Sequence, residues 1–297
     1  MISGAGRPMK ILVTGASGFI GGFLVPRLSV QHEVVALGRA TDELRIGGKV
    51  EIVAMDLSRG FDDGLLPGTT DVIIHLAQAN VTLPDSANEM FAINTASTQL
   101  LLDYARRARV KRFIFGSSGD VYGTRVGFAE ESDWTHPEGF YAVTKRASEL
   151  LLLSYRDYFQ PCVLRLFHPF GPGQLNRLMP KLADRIRSGE SVRLNRGEGP
   201  HFTPLYVADV ITAIVRAVDS SFAGVVNLAG DTCASVRELA VAVGGVLGCE
   251  PKFEETDLEA GDMMGCNKLM KRTFGEWEMV SLTEGLARTF RYQGGSI

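Results

Sequence analysis

Patterns for metal binding and for disulfide bonding are missing from this sequence. Its four cysteines lie far apart, without a Cys-x-x-Cys pair and without histidines at metal-ligand spacing: Cys162, Cys233, Cys249 and Cys266. We therefore predict no metal site and no disulfide framework. We expect buried free thiols in a reducing compartment.

Long apolar runs and an excess of charge are absent as well. No stretch approaches the roughly 18 apolar residues that a membrane-spanning helix needs, and the N-terminus lacks a signal-peptide pattern. The formal net charge of −3 offers no general attraction to nucleic acid or to an anionic membrane. We expect a cytoplasmic protein in which residues 1–8 are a loose leader or a tag remnant before Met9.

One local cluster of positive charge closes a predicted helix at 92–108. It consists of Arg106, Arg107, Arg109, Lys111 and Arg112. Cations suit the negative end of a helix dipole, which is the simpler interpretation. A patch for phosphate or nucleic acid is the alternative.

Short apolar runs alternate with segments of helical period through the first half of the chain. The predicted strands are 10–13, 33–37, 50–54, 72–75, 112–115 and 162–166, and the predicted helices are 20–28, 92–108 and 141–159. Strands this apolar are typical of a parallel sheet covered on both faces. Because crossovers of this kind are right-handed almost without exception, we predict an α/β fold with a doubly wound parallel sheet of the Rossmann type.

Prolines break this rhythm after about residue 167. We assign 9–167 to a dinucleotide-binding domain and 168–297 to a smaller C-terminal substrate-binding lobe, of which about 201–228 are woven back into the Rossmann sheet. A strand at 225–228 and a helix at 236–247 are predicted in that lobe.

A glycine-rich turn joins the first predicted strand to the first predicted helix. Gly15 can take the positive φ of a tight turn, Gly18 lets backbone approach a pyrophosphate, and Gly21 lets the helix pack close to the strand. The helix N-terminus then offers free N–H groups to the phosphates. The predicted cofactor-binding residues here are Gly15, Ser17, Gly18, Phe19, Ile20 and Gly21. Their glycine spacing resembles that of short-chain dehydrogenase/reductases.

The end of the second predicted strand bears on which nicotinamide dinucleotide binds. An NAD enzyme usually offers Asp or Glu there to the ribose 2′-hydroxyl. This chain has Gly38, which leaves room, and Arg39, whose charge suits a 2′-phosphate. Asp42 and Glu43 follow beyond the strand end. We predict NADP or NAD, with NADP favoured; a solvent-facing Arg39 without a cofactor role is the alternative.

Tyr141 and Lys145 are spaced to lie on one face of a helix. A free tyrosine has a pKa of about 10, and nearby positive charge is needed to make it a base at neutral pH. Ser118 comes at the end of the preceding strand, the edge at which open α/β sheets bind ligands. There its hydroxyl can donate a hydrogen bond to a substrate oxygen.

This order of motifs resembles the NAD-dependent epimerase/dehydratase family of extended short-chain dehydrogenases, whose members act mostly on nucleotide sugars. The resemblance runs nearly end to end and is carried by 75–77, Asn94, Ser118 with Tyr122, Tyr141 with Lys145, 164–167, 171–174, 206–210 and 281–286. It implies that Ser118, Tyr141 and Lys145 form the hydride-transfer triad, and that Lys145 also contacts the nicotinamide ribose.

The resemblance further implies that Asp56 contacts the adenine, with Leu57, Leu76 and Ala77 also beside the cofactor. Members of the family often form homodimers through two long helices, here 92–108 and 141–159. The apolar run at 150–153 suits either such a dimer or the core.

Three features depart from the family pattern. His168 stands where the family usually has an asparagine that touches the sugar diphosphate, and a histidine can still donate a hydrogen bond. The familiar diphosphate-binding arginine before 206–210 is absent. Arg177, Lys181 or Arg193 could supply that charge, although each alone suits a solvated surface position.

The third departure is Asp120, two residues after Ser118. Sugar dehydratases and decarboxylases of the family carry Glu there as an additional acid/base. We count Asp120 among the catalytic candidates, but a carboxylate that caps its own loop is the better interpretation.

We therefore predict an NAD(P)-dependent enzyme that transfers a hydride at C4 of a nucleotide-linked sugar, with Tyr141 as acid/base. Epimerisation is favoured narrowly, because it needs only the triad and room for the ketone to rotate. Net reduction is close behind, since a pocket that favours NADP suits the use of free NADPH, and dehydration is the third outcome. The alternatives are a reductase of a keto-sugar nucleotide or of an aldehyde, flavonoid or steroid carbonyl, and, from another class, a catalytically silent NADP-binding sensor or scaffold. Binding to nucleic acid or to a membrane is not expected.

Overall fold

The structure is a computed structural model that describes residues 7–39, 50–80, 83–257 and 261–291. Its strands are β1 (Lys10–Thr14), β2 (Glu33–Gly38), β3 (Val50–Ala54), β4 (Val72–His75), β5 (Arg112–Ser118), β6 (Phe128–Ala129), β7 (Gln160–Leu166), β8 (Pro169–Phe170), β9 (Ser191–Leu194), β10 (His201–Phe202), β11 (Leu205–Tyr206), β12 (Gly224–Leu228), β13 (Ala234–Ser235), β14 (Lys252–Glu255) and β15 (Met264–Gly265).

The α-helices are α1 (Phe19–Ser29), α2 (Ala87–Phe91), α3 (Ser97–Arg107), α4 (Gly139–Ser154), α5 (Leu178–Arg187), α6 (Val207–Asp219), α7 (Val236–Leu247), α8 (Lys268–Phe274) and α9 (Leu282–Arg291). A π-helical turn (Ala92–Ala96) joins α2 to α3, and short 3-10 helices lie at Asp63–Leu65 and Gly119–Tyr122. None of the helices in the described ranges is long and apolar enough to cross a membrane.

The central sheet has seven strands in the order β12-β7-β5-β4-β1-β2-β3. β1 pairs in parallel with β2, Leu12 opposite Val35, and with β4, Leu12 opposite Ile73. The chain builds outward from β1 to β3 on one side and then returns to β4 on the other. Such a reversal leaves a crevice beyond the carboxyl ends of β1 and β4, which is where open α/β sheets bind ligands. The prediction of a doubly wound Rossmann-type sheet is confirmed.

The inner strands are buried as their apolar runs predict, but β3 is not. It is one of the two edge strands, and Glu51 and Ile52 are exposed. An edge strand has a partner on one side only, so apolar sequence alone does not make it a core strand. The expectation that all predicted strands lie in a covered sheet is wrong for β3.

The single helix predicted at 92–108 is three segments. Helix α2 begins earlier, and the π-helical turn separates it from α3. Ser97 Oγ donates to the Ile93 carbonyl at 2.6 Å, and Thr98 Oγ1 donates to the Asn94 carbonyl at 2.7 Å. Hydroxyl groups bound to carbonyls one turn earlier loosen a helix, and π-turns often mark functional positions.

Helix α4 ends five residues before the predicted end at 159. The chain turns at Tyr155, and the Phe159 ring stacks on Phe113 at 5.7 Å between ring centroids. Burial of this ring against β5 outweighs continuation of the helix. β5 itself runs on to Ser118, beyond the predicted end at 115.

The chain divides into two compact units. The first consists of Met1–Val121, Pro137–Arg165 and Ile211–Val226, and the second of Tyr122–His136, Leu166–Val210 and Asn227–Ile297. The functional domain ranges expected from the sequence, 9–167 and 168–297, stay a prediction.

The second unit contains small two-stranded sheets, such as β14 paired with β9 and β10 paired with β13. Asp209, in the 206–210 motif, accepts hydrogen bonds from Trp277 Nε1 at 2.9 Å and from the Val280 backbone at 3.1 Å. This buried carboxylate anchors the segment before α9. The motif therefore has a structural use inside this unit.

All four cysteines are free, and only Cys162 is buried. The expectation of buried thiols is wrong for Cys233 and Cys249, which are exposed, and for the partly exposed Cys266. Burial raises the pKa of the Cys162 thiol to about 11.

Candidate active site

The turn between β1 and α1 depends on glycine at two positions. Gly15 has φ +69°, and a Cβ built on it would lie 2.7 Å from the Ala77 backbone nitrogen. A Cβ on Gly21 would lie 2.2 Å from the Gly15 carbonyl oxygen. A side chain at either position would therefore push α1 away from β1 and fill the turn.

The N-terminus of α1 is open to a ligand in the way that a phosphate requires. Gly18 is its N-cap, in extended conformation, and no side chain caps the helix. The first turn carries no acidic residue. Free backbone N–H groups and the helix dipole attract an anion here, so the turn fits the pyrophosphate of a dinucleotide. The adjoining side chains of Ser17, Phe19 and Ile20 are partly buried.

The ends of β2 and β3 carry the predicted adenosine-binding residues. Arg39 follows β2 and is exposed. Asp56 follows β3, and its Oδ1 accepts hydrogen bonds from the Ser58 hydroxyl at 2.7 Å and the Ser58 backbone at 3.0 Å. These bonds hold the pKa of Asp56 below its usual range, and the charges of Arg59 and Arg39 add to the effect.

Leu57, next to Asp56, is buried in the core cluster beneath β2 and β3. Asp42 and Glu43, which the sequence places beyond β2, lie outside the described residues.

The loop after β4 lies directly under the glycine turn. Leu76 N donates to the Thr14 carbonyl at 3.2 Å, and Ala77 N donates to Thr14 Oγ1 at 3.2 Å. The next residue, Gln78, is exposed, and its Oε1 accepts a hydrogen bond from the Tyr141 hydroxyl at 2.8 Å. This loop therefore joins the cofactor turn to the predicted acid/base.

Tyr141 and Lys145 lie one turn apart on α4, as the sequence predicts. Lys145 is fully buried, its Nζ donates to the Gly116 carbonyl on β5, and it lies 4.5 Å from the centroid of the Phe115 ring. Burial lowers the pKa of Lys145 to about 7, and the Glu149 carboxylate opposes this shift. The ammonium group of Lys145 is thus held at Gly116, two residues before Ser118 on β5.

His75 lies on the neighbouring strand β4 as a neutral ring. Its Nδ1 is 2.6 Å from Thr14 Oγ1 and its Nε2 is 3.0 Å from Thr98 Oγ1. Burial, together with the charge of Lys145, lowers the pKa of His75 to about 3. His75 is therefore not an acid/base near neutral pH.

Ser118 and Asp120 contact each other at the end of β5. The Ser118 hydroxyl donates to Asp120 Oδ2 at 2.8 Å, and the Asp120 backbone N–H donates to Ser118 Oγ at 3.2 Å. Asp120 therefore orients the Ser118 hydroxyl besides opening the 3-10 turn that follows. The sequence did not predict this pairing.

Asn94, in the π-helical turn, connects α4 to the loop after β4. Its Oδ1 accepts from the Ala79 backbone at 2.7 Å, and its Nδ2 donates to the Ala79 carbonyl at 2.9 Å and to Thr144 Oγ1 at 3.0 Å. Thr144 precedes Lys145 on α4. The buried amide thus fixes α4 against the strand edge.

The predicted substrate-binding residues lie in the second unit. His168 has a positive φ of 43°, its ring packs edge-on against Phe202 at 4.3 Å between centroids, and its buried Nδ1 has no hydrogen-bond partner among the described residues. Burial lowers the pKa of His168 to about 4, and the charge of Arg177 contributes. The structure therefore brings His168 and Arg177 together.

Arg193 is placed differently. It lies on β9, exposed, with its Nε 4.0 Å from the Glu254 carboxylate on β14. This position is that of a solvated surface pair, and no described contact joins Arg193 to His168.

Sequence reasoning did not assign Gln78, Asn94, Ser117, Glu149 or Arg165 a place in the site. For Glu149 a signal existed, because it follows Lys145 by four residues and shares its helix face. For Gln78 none existed, since only the tertiary fold brings it to Tyr141.

A seven-stranded parallel sheet, a glycine turn at its first strand and a buried lysine one turn after a tyrosine define an enzyme of the short-chain dehydrogenase type, dependent on a nicotinamide dinucleotide. The family model of the NAD-dependent epimerase/dehydratase family matches residues 11–229. The chain belongs to this family.

Similar proteins include enzymes of more than one reaction type. The chain is 30% identical over 310 residues to a UDP-glucose 4-epimerase of Mycolicibacterium smegmatis, covering 96% of this chain and 98% of the relative. It is 31% identical over 239 residues to a dTDP-glucose 4,6-dehydratase of an Actinoplanes species, covering 73% and 74%. Among solved structures, MoeE5 in complex with UDP-glucuronic acid and NAD matches with TM-score 0.84 and 27% identity, covering 95% and 98%.

Proposed function

We propose that this enzyme is a nucleotide-sugar 4-epimerase that transfers a hydride to and from C4, with Tyr141 as acid/base. The observation that carries the proposal is the placement of Lys145. Lys145 is a buried cation one helical turn after Tyr141. It donates to the carbonyl of Gly116, which precedes Ser118 by two residues on β5. The epimerase and MoeE5 relatives support a nucleotide sugar as the substrate.

Tyr141 takes the proton of the C4 hydroxyl as the hydride leaves that carbon. Lowering a phenol pKa from about 10 to near 7 requires about 4 kcal/mol of electrostatic stabilisation. Lys145, in its ammonium form within a buried site, supplies much of it. In the return step the Tyr141 phenol gives the proton back to the new alkoxide.

In the structure the Tyr141 hydroxyl donates to Gln78 Oε1. A substrate hydroxyl must take the place of this amide oxygen. Ser118 in turn hydrogen-bonds the C4 oxygen and steadies its developing charge. The Ser118 hydroxyl donates to Asp120 Oδ2, so it must turn from this carboxylate to donate to the substrate oxygen.

The cofactor supplies the hydride acceptor when it is bound. Gly15, Gly18 and Gly21 shape the pyrophosphate turn, with Ser17, Phe19 and Ile20 beside it. We propose that Asp56 and Leu57 contact the adenosine and that Leu76 and Ala77 lie beneath the turn. Lys145 contacts the nicotinamide ribose in this proposal.

The choice between NADP and NAD rests on one strand end. Gly38 and the exposed Arg39 favour NADP, whereas the NAD in the MoeE5 complex argues for NAD. The preference for NADP stays a prediction of the sequence, and Arg39 is the residue that tests it.

For the substrate we propose His168 and Arg177 as diphosphate ligands. His168 has a buried unpartnered Nδ1, and Arg177 lies close enough to affect its charge state. Arg193, exposed and paired with Glu254, is the weaker of the three candidates.

Elimination is the second candidate function, favoured by the contact of Asp120 with Ser118. A dehydratase needs an acid/base beyond Tyr141 to move a proton next to the ketone. Asp120 places a carboxylate 2.8 Å from the Ser118 hydroxyl. A dehydratase also stands among the relatives.

The test is to incubate the full chain with NAD or NADP and with UDP-glucose, UDP-glucuronic acid or dTDP-glucose in D₂O. Mass spectrometry and proton NMR then identify the products. An epimer of unchanged mass without deuterium on carbon supports epimerisation, because the same hydride returns to C4. A product lighter by one water and labelled at carbon shows elimination. Net reduction is tested separately with NADPH and a 4-keto-sugar nucleotide, where it adds two hydrogens to the substrate.

Absence of any product, with cofactor bound, would sink the proposal and favour a silent sensor. Turnover of simple aldehydes, flavonoids or steroids instead of nucleotide sugars would move the enzyme to the carbonyl-reductase alternative. Both outcomes leave the family membership unchanged.

We also propose that the enzyme is a homodimer through α3 and α4. These helices expose large apolar side chains: Leu100 on α3, Val143 and Leu150 on α4, and Phe91 at the end of α2. Sedimentation should show a dimer that Leu150→Glu converts to monomer; a monomeric wild type overturns it. The cytoplasmic location stays a prediction.

A further inference from the structure

Glu149 lies one turn of α4 after Lys145 and is fully buried. Its Oε1 accepts hydrogen bonds from Ser117 Oγ at 2.5 Å and from Arg165 Nε at 3.0 Å. Its Oε2 accepts from Arg165 Nη2 at 2.8 Å and from Arg146 Nη1 at 2.8 Å. A carboxylate taken out of water costs several kcal/mol unless such partners compensate. The fold therefore maintains a negative charge at this place, and the reaction steps above make no use of it.

The partners of Glu149 come from the elements that carry the reacting groups. Ser117 directly precedes Ser118 on β5, and α4 holds Tyr141 and Lys145. Arg165 lies on the neighbouring strand β7. One carboxylate thus ties the end of β5 to the helix that faces it.

Glu149 also determines the electrostatics around Lys145. The other charged or titratable groups on the surrounding elements are His75 on β4, Arg112 on β5 and Asp120 just after it, Tyr141 and Arg146 on α4, and Cys162 and Arg165 on β7. His75 is neutral, and Arg146 and Arg165 add positive charge. Burial drives the pKa of Lys145 down, and the Glu149 charge is the influence that raises it.

We propose that Glu149 is a positioning residue: its buried carboxylate keeps Lys145 in the ammonium form that Tyr141 requires and holds Ser118 at the end of β5. The kinetic consequence rests on the proposed function. The effect on Lys145 does not, because it can be measured without substrate.

The experiment compares Glu149→Gln with the double variant Glu149→Gln/Arg165→Met, and the double variant with Arg165→Met. The single variant leaves Arg165 buried without its carboxylate and risks unfolding. The double variant removes both charges and replaces Arg165 by a side chain of similar length, which in buried ion pairs often preserves the fold. Glu284→Gln is the matched control, because it makes the same change in the exposed Arg288–Glu284 pair of α9.

The first measurement is the titration of Lys145 by NMR of the full chain with ¹³C-labelled lysine, its signal assigned by its loss in Lys145→Met. The midpoint should be lower by about one pH unit or more in the double variant than in Arg165→Met, which differs from it only in the Glu149 charge; one unit is a tenfold change in the ionisation constant. The midpoint should stay unchanged in Glu284→Gln. Folding of each variant is checked by circular dichroism.

The second measurement is the pH profile of kcat and KM for the proposed epimerisation. The basic limb should lie at lower pH in the double variant than in Arg165→Met, because Lys145 loses its proton earlier without the Glu149 charge. At pH 7 the kcat of the double variant should fall at least tenfold while its KM changes little. Glu149→Asp keeps a carboxylate and should retain part of the kcat that the double variant loses.

A folded double variant with the same Lys145 midpoint as Arg165→Met overturns the proposal. A shifted midpoint with an unmoved pH profile overturns the link to Tyr141. If the wild type turns over no nucleotide sugar, the proposed function fails, and the NMR midpoint still decides the role of Glu149.

Discussion

Lys145 and Arg39 are two cations of the first unit that both serve the cofactor in the proposed enzyme, and their surroundings differ in every respect. Lys145 is fully buried between a carbonyl, an aromatic ring and a nearby carboxylate. Arg39 is exposed at the end of β2 and influences Asp56 only as one of several charges. A buried charge interacts far more strongly than an exposed one, because water screens the second.

The comparison separates what chemistry needs from what binding needs. The reacting end of the site is built from buried polar groups that fix position and charge together. The adenosine end has an open surface on which a single side chain can change cofactor preference. Substitutions at the two ends should therefore differ in size and in kind.

The largest effect is expected for Lys145→Met. Loss of the ammonium should abolish turnover, at least a thousandfold in kcat, and should also weaken nucleotide binding through the nicotinamide ribose. Steady-state kinetics and cofactor titration measure both. Lys268→Met, the same change at an exposed helix start, is the control and should leave both unchanged. An active Lys145→Met enzyme would contradict the proposed mechanism.

Tyr141→Phe should lower kcat by at least two orders of magnitude while cofactor binding is retained, because only the proton-transferring oxygen is lost. Tyr158→Phe removes a hydroxyl from an exposed tyrosine and should have no effect. Turnover of Tyr141→Phe near that of the wild type would remove Tyr141 from its role as acid/base.

The third prediction concerns stability against pH. The pKa of Lys145 lies near 7 in the folded protein, below its unfolded value. Between the two values the unfolded chain binds more protons, so folded stability should rise with pH there. Relative to Lys145→Met, the ligand-free wild type should gain up to about 1.4 kcal/mol per pH unit above pH 7. Denaturant unfolding at several pH values measures this, and parallel curves for the two proteins would show that burial does not lower the pKa of Lys145.

Arg39→Ala should weaken NADP(H) by about 1–3 kcal/mol and barely change NAD(H), as expected for loss of a charge-assisted phosphate contact. Isothermal titration with both cofactors measures it. Arg59→Ala is the matched control, because Arg59 also lies beside Asp56 but not at the end of β2. Equal effects on both cofactors, or none, would end the NADP preference and leave NAD.

The smallest effect is expected for Asp120→Asn. Hydride transfer in a single turnover should persist, and overall turnover should stay within about tenfold of the wild type, since epimerisation needs only the triad. Asp157→Asn, at an exposed position, controls for the change in charge. Accumulation of a keto intermediate with a thousandfold loss of turnover would instead favour elimination, with Asp120 as its acid/base.

Much of the first unit could be predicted because its signals are local. The apolar runs of β1, β2 and β4, the glycine turn and the spacing of Tyr141 and Lys145 all lie within short stretches of sequence. Predictions failed where a long-range contact decided the outcome. Phe159 leaves the helix to stack on Phe113, and β3 is exposed because it lies at the edge of the sheet.

The sequence by itself determined the parallel sheet, the dinucleotide turn and the position of the tyrosine–lysine pair, because hydrophobic period, glycine conformation and helical spacing act between near neighbours in the chain. Only the tertiary structure decided that Gln78 holds the Tyr141 hydroxyl, that Ser118 donates to Asp120 and that Glu149 is a buried charge shared by α4, β5 and β7. Burial and charge state depend on groups brought together from distant parts of the chain. Those contacts set the energies of the site, and no local pattern encodes them.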